Sequence, residues 1–253
     1  MTIEYVDLET AKAATGTRIV VTSLVPSPWS EATKGLLRIA GLRALAVRRG
    51  LDKDAIDAWT GVDNVPAVFH EREPIRTSWS AIVGFVDRMA PGRVLPADVA
   101  ARGEVMGVLE VIAGEGGIGG NGRLAMIDAG LASGGTAGFP LPVAKFLARR
   151  YGHSAAAVAQ ARERMPAQLA FVASKLTGAY FGGDAPNALD VYSATFLTPI
   201  AAPITDAECP AMMPPLRAAF ASGHAAFGSL VPPALVAHRA RMFEQHLPRP
   251  IEI

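Results

Sequence analysis

Ile19-Val20-Val21-Thr22-Ser23-Leu24, then Ser27-Pro28-Trp29-Ser30, then Glu31 to Leu42 with apolar residues at helical spacing, is the stretch that decides the fold. A short apolar run rich in β-branched residues reads as a strand, the proline as a sharp turn, and the periodic segment as a helix. A strand that turns directly into a helix N-terminus presents unpaired backbone N–H groups and the positive end of the helix dipole, which together suit an anion. Two hydroxyls flank this turn. Ser30 reads as the helix N-cap, because a side-chain oxygen there satisfies first-turn N–H groups. Ser27 is left to face whatever docks. A turn serine beside proline also has a purely conformational explanation, and Trp29 either lines the site or packs over the turn.

Working outward, Ala44-Leu45-Ala46-Val47 is a second strand, and Asp52 to Trp59 opens as a helix with an acidic cap. Ala67-Val68-Phe69 and Pro74-Ile75-Arg76 flank the polar turn His70-Glu71-Arg72-Glu73 as a hairpin. Ser78 begins a helix whose apolar positions Ile82, Phe85, Val86 and Met89 share one face. The order is βαβαββα over residues 1–91, a small mixed sheet with helices packed on it, residues 1–17 forming an N-terminal extension.

Pro91-Gly92 and Pro96 punctuate the chain as a linker. Residues 98–253 read as helices only, with stripes at Val105, Val108, Leu109 and Ile112, at Val143, Phe146 and Leu147, at Leu169, Val172, Leu176 and Tyr180, and at Val236, Ala240, Phe243 and Leu247. Gly114 to Gly138 is dense in glycine and reads as a long loop. Its Gly117, Gly119 and Gly122 match a dinucleotide-binding string, but the segment before them reads as a helix, where that motif requires a strand. Asn121 and Arg123 in the loop either bind an acidic co-substrate over an interdomain cleft or are simply solvated.

The chain has 253 residues, half of them hydrophobic, a net charge of +1 and one cysteine, Cys209. That length buries ample core. The near-neutral charge gives no electrostatic case for nucleic acid or an anionic membrane. A single cysteine excludes an internal disulfide framework and is compatible with a reducing compartment. The segment Met1 to Thr17, carrying Glu4, Asp7 and Glu9, has no apolar core like that of a secretory signal. No uncharged apolar run reaches the ~20 residues of a membrane span, so the cytoplasm is expected. His70, His153, His224, His238 and His246 lack metal-ligand spacing, so no metal is expected. Cys209, between Glu208 and Pro210, reads as an incidental thiol.

Ser27-Pro28-Trp29-Ser30 resembles the Cys-Pro-Tyr-Cys turn of thioredoxin-like proteins with hydroxyls in place of both sulfurs, which removes dithiol chemistry. With the helical second half, the whole resembles the glutathione transferase superfamily, and three motifs carry the likeness. The turn is similar to the Ser-Pro-aromatic turn of serine-type members; the resemblance implies that Ser27 is catalytic, its hydroxyl stabilising the glutathione thiolate. Asn64-Val65-Pro66-Ala67 is similar to the family's Val-Pro element, which implies a cis Pro66 and a Val65 backbone pairing with the peptide part of glutathione. Gly182-Gly183-Asp184-Ala185-Pro186-Asn187-Ala188-Leu189-Asp190 resembles the cap-and-aspartate signature that starts a core helix, with Asn187 where Ser or Thr is usual.

The resemblance further implies glutathione as co-substrate, held by Val65, Pro66, Thr77, Ser78 and Trp29, a small apolar electrophile in a helical-domain pocket, and a homodimer. One departure stands at Thr77-Ser78, where the family usually carries an acid followed by serine to hold the γ-glutamyl group. Either another acidic residue fills in, or glutathione binds weakly, or the ligand is a different thiol or anion. A non-catalytic ligand-binding or interaction protein on the same fold is the alternative, since folds host many functions.

Overall fold

The structure, a computed structural model, describes residues 3–50 and 52–253. Four strands form one sheet in the order β1-β3-β2-β4: β1 (Ile3–Tyr5), β2 (Thr17–Thr22), β3 (Ala44–Arg49) and β4 (Ala67–His70). β3 pairs parallel with both β1 and β2, and β4 runs antiparallel to β2, with Ile19 opposite Val68. Arg76 adds a bridge to Val68, so the expected second hairpin strand is reduced to one residue pair. Pro74 is the reason, because it has no N–H to give the ladder.

The central strand β2 is apolar on both faces, as a strand covered on both sides must be. Ile19 and Val21 point to the face covered by α2 (Pro28–Ile39) and α4 (Trp79–Met89). Val20 points to the other, where Ala11 of α1 (Leu8–Ala13) and Ile56 of α3 (Lys53–Thr60) join Val47, Ala67 and Phe69.

Residues 1–17, expected as an extension, carry an edge strand and a helix of this sheet; Met1 and Thr2 lie outside the described residues. Three residues are too few to display a period, which is why β1 is silent in the sequence. Its tether is the distant C-terminal tail. The Tyr5 hydroxyl donates to Glu252 O at 3.2 Å, and Lys34 Nζ donates to the same oxygen at 2.6 Å.

From α5 (Val99–Ala113) onward the chain is helical: α6 (Ile118–Ala132), α7 (Leu141–Arg150), α8 (Ala155–Lys175), α9 (Ala188–Ala201), α10 (Pro214–Phe227) and α11 (Pro233–Gln245). The molecule is thus a thioredoxin-like domain followed by a helical one. Every residue of α9 is buried. Its start is the expected capping box: Asn187 accepts from Leu189 N–H at 2.7 Å while Asp190 accepts from Asn187 N–H at 2.8 Å. Helix α2 approaches α9 through Gly35, where a Cβ would stand 2.6 Å from a Val191 methyl.

Three sequence readings are corrected. Gly114 to Gly138 is not a long loop: fifteen of its residues form α6, and within that helix Gly119 and Gly130 serve close packing. The cost of glycine in a helix is outweighed where any side chain would collide. The buried face of α11 is Leu235, His238, Arg239, Met242 and Phe243, whereas Val236 and Ala240 face outward. A polar pair in the core hides that stripe from a hydrophobicity count. On α7, Val143 and Phe146 are exposed and only Ala144 is fully buried.

Candidate functional site

Between the sheet domain and the helical domain lies a cleft of about 1650 Å³. From the first domain it is lined by Ser27, Trp29, Val65, Thr77 and Ser78; from the second by α6, by Val143, Phe146 and Leu147 of α7, and by Phe196 of α9. Val143 and Phe146 of the α7 stripe therefore face the cleft, while Leu147 both lines it and packs against the core.

Ser27 is the residue at which α2 begins, with extended backbone angles φ −61° and ψ 123°, but its side chain makes no capping hydrogen bond. Pro28, which has no N–H to lose, occupies the first helical position. The expected N-cap role of Ser30 is a misreading. Ser30 lies inside the helix, buried, and its Oγ accepts from Thr22 N–H at 3.1 Å and lies 3.2 Å from Thr22 Oγ1. That pair ties the helix to the end of β2 and leaves the Ser27 hydroxyl as the free polar group of the turn.

Trp29 both lines the cleft and packs. Its ring meets Phe196 edge-on at 4.7 Å between centroids, joining the two domains beside Ser27. Gly119 makes room for them, since a Cβ there would stand 2.5 Å from Cε1 of Phe196 and 3.1 Å from the Trp29 ring.

The Val65–Pro66 peptide bond is cis. Val65 lines the cleft, and neither its N–H nor its C=O has a hydrogen-bond partner among the described residues, which leaves a short backbone edge open to an extended peptide. Pro66 is buried behind it. Ser78 caps α4, its Oγ accepting from Ala81 N–H at 3.3 Å, and Thr77 is half-buried on the cleft wall.

Three carboxylates reach the cleft. Asp57 is held by Arg49 in a two-point pair at 2.6 and 2.5 Å, and Asp63 by Arg150 at 2.8 Å. These contacts keep both carboxyls below the usual aspartate range. Glu115 has no ion pair among the described residues. Sequence reasoning did not single out these five residues, because pairs distant in sequence leave no local signal.

Arg123 belongs to α6 and turns to the cleft, against Trp29 and Tyr151. The glycine string beside it starts α6 at Gly117 and continues inside that helix at Gly119 and Gly122, following a helix and not a strand. Cys209 is fully buried, with Sγ 3.7 Å from Ile251 O, and lies away from the cleft; burial pushes its thiol pKa up. Among the described residues no group of three or more His, Cys, Asp or Glu stands ready for a metal, and no helix is long and apolar enough to cross a membrane.

No family model matches the sequence, and no curated protein matches it. Solved structures do. A glutathione transferase family member from Pseudomonas fluorescens Pf-5, with two glutathione bound, superposes with a TM-score of 0.61 at 14% identity, over 92% of this chain and 93% of that one. A glutathione S-transferase from Methylobacterium radiotolerans, in complex with glutathione sulfonate, gives 0.57 at 17% identity over 94% and 97%. Human glutathione S-transferase T1-1, in the apo form of a single-substitution mutant, gives 0.58 at 18% over 90% and 83%. Near-complete coverage of both domains in all three shows that this chain has the glutathione transferase fold.

Proposed function

We propose that the cleft binds glutathione and that Ser27 stabilises its thiolate for attack on an electrophile seated against the helical domain. The single observation that carries this reading is the Ser27 hydroxyl: it stands at the start of α2, lines the cleft, and has no hydrogen-bond partner among the described residues. A hydroxyl donating to sulfur favours thiolate over thiol and lowers the thiol pKa from about 8.5, enlarging the nucleophile's population at neutral pH. The first turn of α2 adds unpaired N–H groups and the positive end of its dipole. Val65 offers its backbone to the peptide, with Pro66 behind it, and Trp29, Thr77 and Ser78 complete the glutathione site. Holding the electrophile against the thiolate contributes through proximity. Glutathione or glutathione sulfonate bound in structures of this fold supports the co-substrate. A homodimer in the cytoplasm belongs to the same reading.

The test is conjugation of glutathione to a chlorodinitrobenzene, with the bound thiolate followed by its ultraviolet absorbance against pH. Ser27→Ala is expected to lower kcat/KM by about 10²-fold and to raise the pKa of bound glutathione. Unchanged values in the variant remove Ser27 from the mechanism.

A second reading, a non-catalytic binding protein, is favoured by Thr77, which supplies no charge to a γ-glutamyl ammonium. Retention on immobilised glutathione, with release by free glutathione, separates the two. Absence of retention favours the second.

A further inference from the structure

Among the described residues Arg123 is a guanidinium without a counter-ion. Its Cζ stands 4.5 Å from the Trp29 ring centroid and 3.5 Å from that of Tyr151. Its Nε is sealed from solvent with no hydrogen-bond partner, and the side chain forms no ion pair among the described residues. Burial draws its pKa down, and nearby Arg150 acts in the same direction against Tyr151. Guanidinium pKa values start so high that the group remains charged at neutral pH.

The contrast with its neighbours is the informative point. Arg49 and Arg150, on the same cleft, are each satisfied by an aspartate, at 2.5 and 2.8 Å. Aromatic faces offset part of the cost of desolvating Arg123, but they supply no acceptor for its five N–H donors. A half-buried cation beside an open cavity, with no acid of its own, is suited to receive an anionic group from a ligand. Gly120, with open space where a Cβ would stand, leaves the face of α6 uncovered near Arg123, and Tyr151 follows the α7 residues Phe146 and Leu147 along the same wall.

We infer that the electrophile carries a carboxylate, received by Arg123 beside Trp29, with its apolar body against Val143, Phe146 and Leu147. This inference rests on the glutathione reading of the same cleft and names its substrate class. One carboxylate suits the site better than a phosphate dianion. Arg123 is the one half-buried cation of the cleft without an ion pair among the described residues, Arg164 on the same cleft being exposed, and the unpaired Glu115 repels a second negative charge.

The test compares 4-chloro-3,5-dinitrobenzoate with its methyl ester, each rate divided by the uncatalysed rate with glutathione. In either case the thiolate forms a C–S bond at the ring carbon, the C–Cl bond breaks, chloride leaves with the electron pair, and the thiol proton goes to solvent. The wild type is expected to prefer the acid by roughly tenfold or more in kcat/KM, and Arg123→Met to abolish that ratio, with Arg123→Lys restoring part of it. Circular dichroism confirms that each variant is folded. An acid-to-ester ratio near one in the wild type, or one unchanged in Arg123→Met, overturns the inference. If neither compound turns over above background, the glutathione reading fails. Quenching of tryptophan fluorescence by 3,5-dinitrobenzoate then decides the inference: carboxylate-dependent binding lost in Arg123→Met sustains it, and binding equal for acid and ester sinks it.

Discussion

Gly119 lies so close to Phe196 that a Cβ on the glycine would stand 2.5 Å from Cε1 of the ring. Phe196 cannot yield, because it is stacked on Tyr192 at 5.4 Å and met edge-on by Trp29. The contact therefore seats α6 directly against the Trp29–Phe196 pair beside Ser27.

Gly119→Ala is expected to destabilise the protein by about 1–3 kcal/mol through overpacking and to lower cleft activity with it. Gly120, in the same helix with open space at its Cβ position, is the control: Gly120→Ala gains about 0.5–1 kcal/mol through helix propensity and a restricted unfolded chain. Urea unfolding of both variants checks the pair. Equal effects would mean that propensity alone governs α6.

The same glycines explain what the sequence conveyed and what it withheld. Strand β2, the Pro28 turn, the Ser78 cap and the Asn187–Asp190 box were legible, because each follows from local spacing and capping chemistry. Helix α6 was not. Its glycines argue for a loop by propensity, and the collision with Phe196 that justifies one of them involves a residue 77 positions away. Ser30 was misread for a related reason, since its partner Thr22 lies on the preceding strand. In the site, Ser27, Val65, Thr77 and Ser78 were named from motifs and do share one cleft, whereas the Arg49–Asp57 and Arg150–Asp63 pairs and the counter-ion-free state of Arg123 exist only once the chain is folded.

Asp190 is fully buried and accepts three hydrogen bonds: from Phe181 N–H at 2.9 Å, Asn187 N–H at 2.8 Å and His238 Nε2 at 2.8 Å. Asp190→Ala leaves the buried His238 and two part-buried backbone N–H groups unpaired and is expected to cost about 3–5 kcal/mol in urea unfolding. A loss under about 1 kcal/mol would deny it the central role in anchoring α9.

Cys209 has a buried thiol whose pKa is pushed up by that burial, with Glu31 adding to the effect. A raised pKa reduces the reactive thiolate. The native protein is expected to react with Ellman's reagent at the rate of global or local opening, and at once after denaturation. Cys209→Ser should leave glutathione conjugation intact; loss of activity in a folded C209S variant would return the thiol to the mechanism.

His246, at the end of α11, lies 2.7 Å from the Tyr180 hydroxyl. Burial draws its pKa below the ordinary histidine value, Arg38 acts in the same direction, and the attraction of Asp190 opposes them without prevailing. A depressed histidine pKa means that the unfolded chain binds the proton first as pH falls. This residue's contribution to stability is therefore fully present above about pH 6.5 and is lost as pH drops through the folded-state value. Denaturant midpoints of the wild type should fall between about pH 7.5 and pH 5.5, and His246→Phe, which has nothing to titrate, should show a shallower fall over the same interval. Identical slopes in the two proteins would show that other groups govern the acid limb.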